Sequence, residues 1–110
     1  WYTTLDQNIS FPYGIKDSPL DNNSLPNLLS KELTILIGEN DNDSNASGLR
    51  RNSIVDLQGI NRFTRANYFY NLAENKSLEI GCSFNWNFST LQNVGHQLSP
   101  LAIYATEILY

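Results

Sequence analysis

Three oxygen-bearing side chains stand at alternate positions of one polar segment: Asp41, Asp43 and Asn45. This spacing lets the side chains converge on one cation while the backbone wraps around it, as in calcium-binding loops. An EF-hand would need glycine and glutamate where Ala46 and Asn52 stand, so that helical motif is excluded. A looser calcium site in a sandwich loop is therefore a hypothesis, and no other cofactor is expected. A solvated loop without metal is the favoured interpretation.

A second group of side chains has the composition of a sugar-binding site. Trp86 lies between Asn85 and Asn87, and Tyr68 and Tyr70 fall on a nearby predicted strand. An aromatic ring can stack on the apolar face of a sugar while amides bond to its hydroxyl groups. These five residues form the candidate ligand-binding site. Burial of Trp86 in the core or in an interface is the favoured interpretation of this residue.

Residues typical of catalysis are present, but no motif groups them. His96 is the only histidine, and no cysteine or aspartate stands at a metal-binding spacing from it. A Ser-His-Asp triad is assembled in space, so it is not excluded, although no G-x-S-x-G nucleophile motif is present. A small glycoside-hydrolase-like enzyme would need two or more ionisable groups around one cleft. The candidates for it are Asp56, Glu79, Glu107 and His96.

The charge balance narrows the choice of partners. Seven Lys and Arg face eleven Asp and Glu, which gives a formal net charge of -4. An acidic domain gains no general attraction to phosphate backbones, so nucleic acid is not a predicted partner. No apolar run reaches the roughly 20 residues that a membrane-spanning helix needs. Four clustered arginines are interpreted as solvated rather than as an anion site: Arg50, Arg51, Arg62 and Arg65.

Short apolar segments dominate the predicted secondary structure. The clearest is the β-branched run at residues 33–37, which ends at Gly38 and has apolar residues on both faces, as a central strand does. A helical turn is expected at residues 25–30, where Ser24 can cap and Pro26 suits the first turn. Other strands are predicted at residues 1–15 (irregular or edge), 53–58, 66–72 and 77–84.

Polar segments separate these elements. Residues 39–48 are expected to form an exposed, mobile loop that buries nothing, and residues 71–76 a hairpin-sized loop. Residues 85–97 are interpreted as a polar connection. The last segment fits two structures: Ser99 and Pro100 could cap a helix, whereas residues 101–110 also fit a strand. The strand is favoured because it completes a sheet.

Five candidate strands after the irregular first segment, without a convincing long helix, predict one all-β domain over residues 1–110, an antiparallel sandwich or barrel. The C-terminal part resembles the closing strands of concanavalin-like and laminin-G-like jelly rolls. The residues that carry this resemblance are Leu78, Glu79, Ile80 and Gly81, then a polar loop, then the segment 101–110 with Glu107 between apolar residues and a final Tyr110. The resemblance implies a jelly-roll-like sandwich, whole or incomplete, of a kind that binds glycans or proteins.

The favoured function is a non-enzymatic structural or attachment module of a larger assembly, such as a viral or phage particle or a bacterial surface protein. The expected partners are other protein chains, in an oligomer that is extracellular or on a virion surface. The aromatic residues near the chain ends, Trp1, Tyr2, Tyr104 and Tyr110, suggest burial against a neighbour. A lectin-like, calcium-assisted glycan-binding module and the small hydrolase are the alternatives.

Overall fold

The computed structural model describes residues 3–110. Trp1 and Tyr2, two of the aromatic residues expected to meet a partner, lie outside the described residues. In chain order the elements are α1 (Leu25–Leu29), β1 (Leu33–Gly38), a short 3-10 helix (Val55–Gln58), α2 (Arg62–Ile80), β2 (Trp86–Leu91) and α3 (Leu98–Leu109). The fold is therefore mixed α/β, and the expected all-β sandwich is wrong.

The two strands form a parallel pair, which an antiparallel sandwich does not contain. β1 and β2 run in register from Leu33 opposite Trp86 to Gly38 opposite Leu91. Parallel neighbours need a long crossover connection, and α2 lies in the segment that joins them. Because both strands point the same way, their carboxyl ends lie at one edge of the sheet.

Helix α2 replaces two predicted strands and the loop between them. The side chain of its N-cap residue Asn61 accepts a hydrogen bond from the backbone NH of Thr64 at 2.8 Å. Gly81 ends the helix at φ 78°, a left-handed conformation that glycine adopts without steric cost. The strand predictions fail because polar residues occupy part of the buried face of this helix. The apolar residues considered alone therefore do not show the helical period. The buried side chains recur every fourth residue: Arg65, Phe69, Ala73 and Ser77.

Some of the other secondary-structure predictions are confirmed and others are wrong. The strand at residues 33–37 and the helical turn at residues 25–30 are confirmed as β1 and α1. Residues 53–58 contain the short 3-10 helix, and the residues described before position 16 form turns with one isolated bridge between Ser10 and Lys16. The last segment is α3, so the helical alternative is correct and the favoured strand is wrong. Part of the polar connection at 85–97 is β2.

The core lies between the sheet and helices α1 and α2. Trp86 of β2 is only 4% exposed and stacks on Phe69 of α2, with 5.3 Å between the ring centroids. The indole NH of Trp86 donates to the carbonyl of Leu28 at 3.2 Å, which ties β2 to α1. Among the described helices, none has the length together with the hydropathy that crossing a bilayer requires.

Candidate active site

An aspartate and a histidine meet at the carboxyl ends of the two strands. Asp41 follows the last residue of β1, Gly38, by three positions, and His96 follows the last residue of β2, Leu91, by five. The two side chains are 55 positions apart in sequence, yet Nδ1 of His96 lies 2.8 Å from Oδ2 of Asp41. The parallel pairing of β1 with β2 explains this meeting, since it places both following loops at the same edge.

Backbone hydrogen bonds fasten these two loops to each other. The NH of Glu39 donates to the carbonyl of Leu91 at 2.9 Å, and the NH of Asn40 donates to the carbonyl of Val94 at 2.8 Å. Gly38 permits this approach, because a Cβ added there would lie 2.2 Å from the carbonyl oxygen of Val94. A side chain at position 38 would therefore push the histidine loop away from the aspartate loop.

Asp41 is buried although the surrounding segment is polar. Its side chain is 4% exposed, and its carbonyl accepts a hydrogen bond from the backbone NH of Phe63, in the first turn of α2, at 2.8 Å. A guanidinium nitrogen of Arg62 lies 3.6 Å from its Oδ1. The expectation that residues 39–48 bury nothing is wrong at this position, because Arg62 and His96 compensate the carboxylate for lost solvation.

The imidazole ring of His96, unlike the carboxylate of Asp41, is exposed to solvent, and it has one defined contact. Its side chain is 68% exposed. An ionised carboxylate can only accept a hydrogen bond, so the contact with Asp41 assigns the proton to Nδ1 and leaves Nε2 for another partner. This division of the two ring nitrogens is what a general base requires.

A cavity of about 460 Å³ opens beside the pair and follows β1. It is lined by Asp41, Arg62 and His96, and by the five consecutive residues 33–37. Successive strand residues point to opposite faces, so a cavity that touches all five must run along the strand edge. Within residues 3–110, β1 pairs only with β2, and its other edge is open to this cavity.

The candidate calcium ligands differ in their exposure to solvent and in their hydrogen-bond partners. Asp43 is exposed, and its carboxylate accepts a hydrogen bond from the backbone NH of Asn45 at 2.8 Å, whereas the Asp41 carboxylate faces His96 and Arg62. Residues 3–110 contain no group of three or more His, Cys, Asp or Glu that could hold a metal ion. The calcium site stays a prediction, and it would have to share Asp41 with the histidine.

The candidate sugar-binding residues have structural contacts. The Trp86 ring is in the core, and the Asn85 side chain donates to the carbonyl of Ser30 at 2.7 Å. Tyr70 packs on the ring of Phe84, with 5.5 Å between centroids, rather than standing on a strand surface. Asn87 is exposed and Tyr68 is half-buried. The assignment of these five residues to a ligand site stays a prediction, and the buried indole offers no open face for stacking.

The carboxylates considered for a hydrolase lie on other elements. Asp56 is in the 3-10 helix, Glu79 in α2 and Glu107 in α3. The carboxylate that meets His96 is instead Asp41, whose sequence pattern indicates only a calcium ligand. The available signal was an acid just after an apolar strand and a histidine after the next strand. It was missed because β2 had been interpreted as part of a polar connection.

Two of the four clustered arginines, Arg51 and Arg65, hold the segment before α2, and the expectation that all four are solvated is wrong for Arg65. Arg51 makes two hydrogen bonds to Asp56, which keep the pKa of that carboxyl below its ordinary value. Arg65 is 1% exposed and donates to the carbonyls of Gly59 at 2.9 Å and Arg50 at 2.7 Å. Burial lowers the pKa of the Arg65 guanidinium. Arg62 alone among the four lines the cavity.

Two solved structures of hydrolases are similar to this fold. Poly(aspartic acid) hydrolase-1 from Sphingomonas sp. KT-1 matches with a TM-score of 0.93 and 34% sequence identity over 98% of this chain. LpqC, a poly(3-hydroxybutyrate) depolymerase from Bordetella parapertussis, matches with a TM-score of 0.90 and 24% identity over 100% of it. The chain spans only 41% and 37% of their respective lengths. No protein-family model and no curated protein sequence matches the chain.

These similarities correct the expectations about function. The matched proteins are hydrolases with mixed α/β structure, so the expected non-enzymatic structural module, with its jelly-roll, virion and lectin assignments, is contradicted. The resemblance to concanavalin-like and laminin-G-like domains is also wrong, because its two supporting segments belong to helices. Leu78 and Glu79 lie in the last turns of α2, and Glu107 lies in α3.

Proposed function

We propose that this chain provides the acid and the base of a hydrolase of the Ser-His-Asp type, with Asp41 as the acid and His96 as the base. The observation that carries the proposal is the 2.8 Å contact between Nδ1 of His96 and Oδ2 of Asp41. This contact lies at the carboxyl ends of adjacent parallel strands, the edge where open α/β sheets bind ligands. The acid precedes the histidine in the chain, as in α/β-hydrolases.

The two residues have separate roles in this proposal. Asp41 holds the imidazole in the tautomer whose Nε2 accepts a proton, and its charge stabilises the imidazolium that then forms. His96 takes the proton of the nucleophile as the nucleophile attacks an acyl carbon, and later gives it to the leaving group. Burial of Asp41 strengthens this electrostatic effect, because less water screens the pair.

The nucleophile is proposed to come from a segment outside these 110 residues. Among residues 3–110, Asp41 is the only hydrogen-bond partner of His96. The matched hydrolases are long enough to contain such a segment, because this chain spans 41% and 37% of them. The open edge of β1 supports the idea, since a parallel strand added there would end at the same edge as Asp41 and His96.

The proposed substrate class is an ester or amide of a carboxylic acid. Poly(aspartic acid) is joined by amide bonds and poly(3-hydroxybutyrate) by ester bonds, and attack on an acyl carbon cleaves either. A similar fold in hydrolases named for these two polymers therefore supports acyl hydrolysis in general.

The test uses the full-length protein that carries this chain. Hydrolysis of p-nitrophenyl butyrate and of poly(aspartic acid) would be measured for the unchanged protein and for His96→Gln. Loss of the general base is expected to lower kcat by at least about 10³-fold. The matched control is Gln92→Ala, an exposed residue of the same loop, which should retain full activity. Activity of His96→Gln within about twofold of the unchanged protein would refute the proposal.

A further inference from the structure

Arg62 occupies a position where its charge does not favour the helix that carries it. It is the first residue of α2, directly after the N-cap Asn61. The N-terminal end of a helix carries partial positive charge, so acidic side chains are favoured there and an arginine is not. Helix stability therefore does not explain this residue, and its contacts outside the helix become the relevant ones.

Those contacts hold the Arg62 side chain against two positions of one loop, the segment of residues 39–48 that follows β1. Its guanidinium donates to the carbonyl of Ser47 at 3.0 Å and approaches Oδ1 of Asp41 at 3.6 Å. The Arg62 side chain is 15% exposed and the Asp41 side chain 4%, so water screens this ion pair weakly. The separation of 3.6 Å exceeds a hydrogen bond, so the interaction is an attraction between charges.

The two oxygens of Asp41 thus have different partners. Oδ1 faces Arg62 and Oδ2 faces His96. The terminal torsion of an aspartate is broad, so a carboxylate held from one side only can rotate away from its partner. The exposed His96 ring depends on Asp41 for its orientation, and a rotation of the carboxylate would release it.

We infer that Arg62 is a positioning residue for the Asp41–His96 pair, which it stabilises by holding Oδ1 so that Oδ2 stays on Nδ1 of the imidazole. This inference rests on the proposed function only for its effect on catalysis, because the geometric effect exists without any reaction. Arg62 also lines the cavity, so direct binding of an anionic substrate group is the competing role that the experiment must separate.

The experiment compares Arg62→Gln and Arg62→Lys in the full-length protein, with Arg51→Gln as the matched control. Arg51 pairs with Asp56 instead of Asp41 and donates to the carbonyl of Ser44, so the control removes an arginine charge and one bond to the same loop but leaves both partners of the Asp41 carboxylate in place. Kinetics use a neutral ester and an ester with a carboxylate group. In parallel, nitrogen-15-labelled histidine reports the resonance of the hydrogen-bonded Nδ1 proton, assigned by its loss in His96→Gln.

Arg62→Gln is expected to lower kcat for both esters by about 10- to 100-fold with little change in KM, because a small misplacement of a catalytic group has this effect. The Nδ1 proton resonance should weaken or shift, which purely structural damage elsewhere would not cause. Arg62→Lys retains the charge and should retain most of the kcat and of the Nδ1 proton resonance of the unchanged protein. Arg51→Gln should leave both unchanged.

Two results would overturn the inference. An unchanged Nδ1 resonance in Arg62→Gln would show that the pair does not depend on this charge. A higher KM for the carboxylate ester alone, with kcat unchanged, would assign Arg62 to substrate binding. Failure of the proposed function is distinguishable from both, since His96→Gln would then leave hydrolysis intact while the resonance still reports on Arg62.

Discussion

Replacement of Asp41 by asparagine tests the acid–base pair with little change of shape. The amide keeps the outline of the carboxylate but carries no charge, and it can donate as well as accept a hydrogen bond. The imidazole then has no anion to fix its Nδ1 proton or to stabilise the imidazolium. We expect the variant to fold and to lose most of its hydrolytic activity.

The expected size of the effect is a decrease in kcat of about 10⁴-fold, or about 5.5 kcal/mol in the activation free energy. Two features of the site argue for an effect of this size. Asp41 is 4% exposed, so water does not readily replace the lost charge. His96 is 68% exposed and has no other hydrogen-bond partner among residues 3–110, so packing does not hold the ring in place.

The measurement is kcat for a neutral ester with the full-length protein, together with thermal unfolding to establish that Asp41→Asn is folded. Asp43→Asn is the matched control, since it makes the same change in an exposed residue two positions away. It should retain activity within about twofold, as surface substitutions usually do. A folded Asp41→Asn variant with nearly unchanged kcat would refute the argument that this carboxylate orients the base.

One further prediction tests the contact between the two loops of the site, and two test the stability of the fold. Gly38→Ala should lower kcat, because its Cβ would lie 2.2 Å from the carbonyl oxygen of Val94, whereas Gly95→Ala, with 3.8 Å to the nearest atom, should have little effect in the same assay. Trp86→Ala should lower the free energy of unfolding by about 3–5 kcal/mol in urea titrations, and a change below about 1 kcal/mol would contradict its place in the core. Arg51 lowers the pKa of Asp56 from 3.8, so the pair stabilises the fold above that pH and the stabilisation is lost as the pH falls through the lowered pKa. Unfolding measured between about pH 5 and pH 2 should therefore show the unchanged protein losing its advantage over Asp56→Asn as the pH falls.

The parts of the fold that were predictable are those where the local signal agrees with the tertiary structure. The run at residues 33–37 is apolar on both faces and ends at a glycine, and it is β1. Pro26 and Ser24 mark the start of α1. Each of these segments is short and bounded by residues that end a strand or start a helix, so its sequence favours a single secondary structure.

Helix α2 was not predictable by the same means, because its inner face includes Arg65 and Ser77. Arg65 is buried by hydrogen bonds to the carbonyls of Gly59 and Arg50, which lie in a segment that sequence periodicity does not relate to the helix. Without those partners an arginine indicates an exposed face. The apolar residues that remained were then interpreted as alternating, and alternation indicates strands.

The site was hidden because β2 was interpreted as part of a polar connection, while its two residues meet only if β1 and β2 are parallel neighbours. An antiparallel arrangement of consecutive strands would put the ends of β1 and β2 at opposite edges, with Asp41 far from His96. The spacing of Asp41, Asp43 and Asn45 was therefore the only local pattern available, and it treats both acids as equivalent. In the structure one acid is buried against a histidine and the other is exposed. Chemistry that needs both acids together, such as calcium binding, therefore competes with the acid–base pair for Asp41, while the acid–base pair has no need of Asp43.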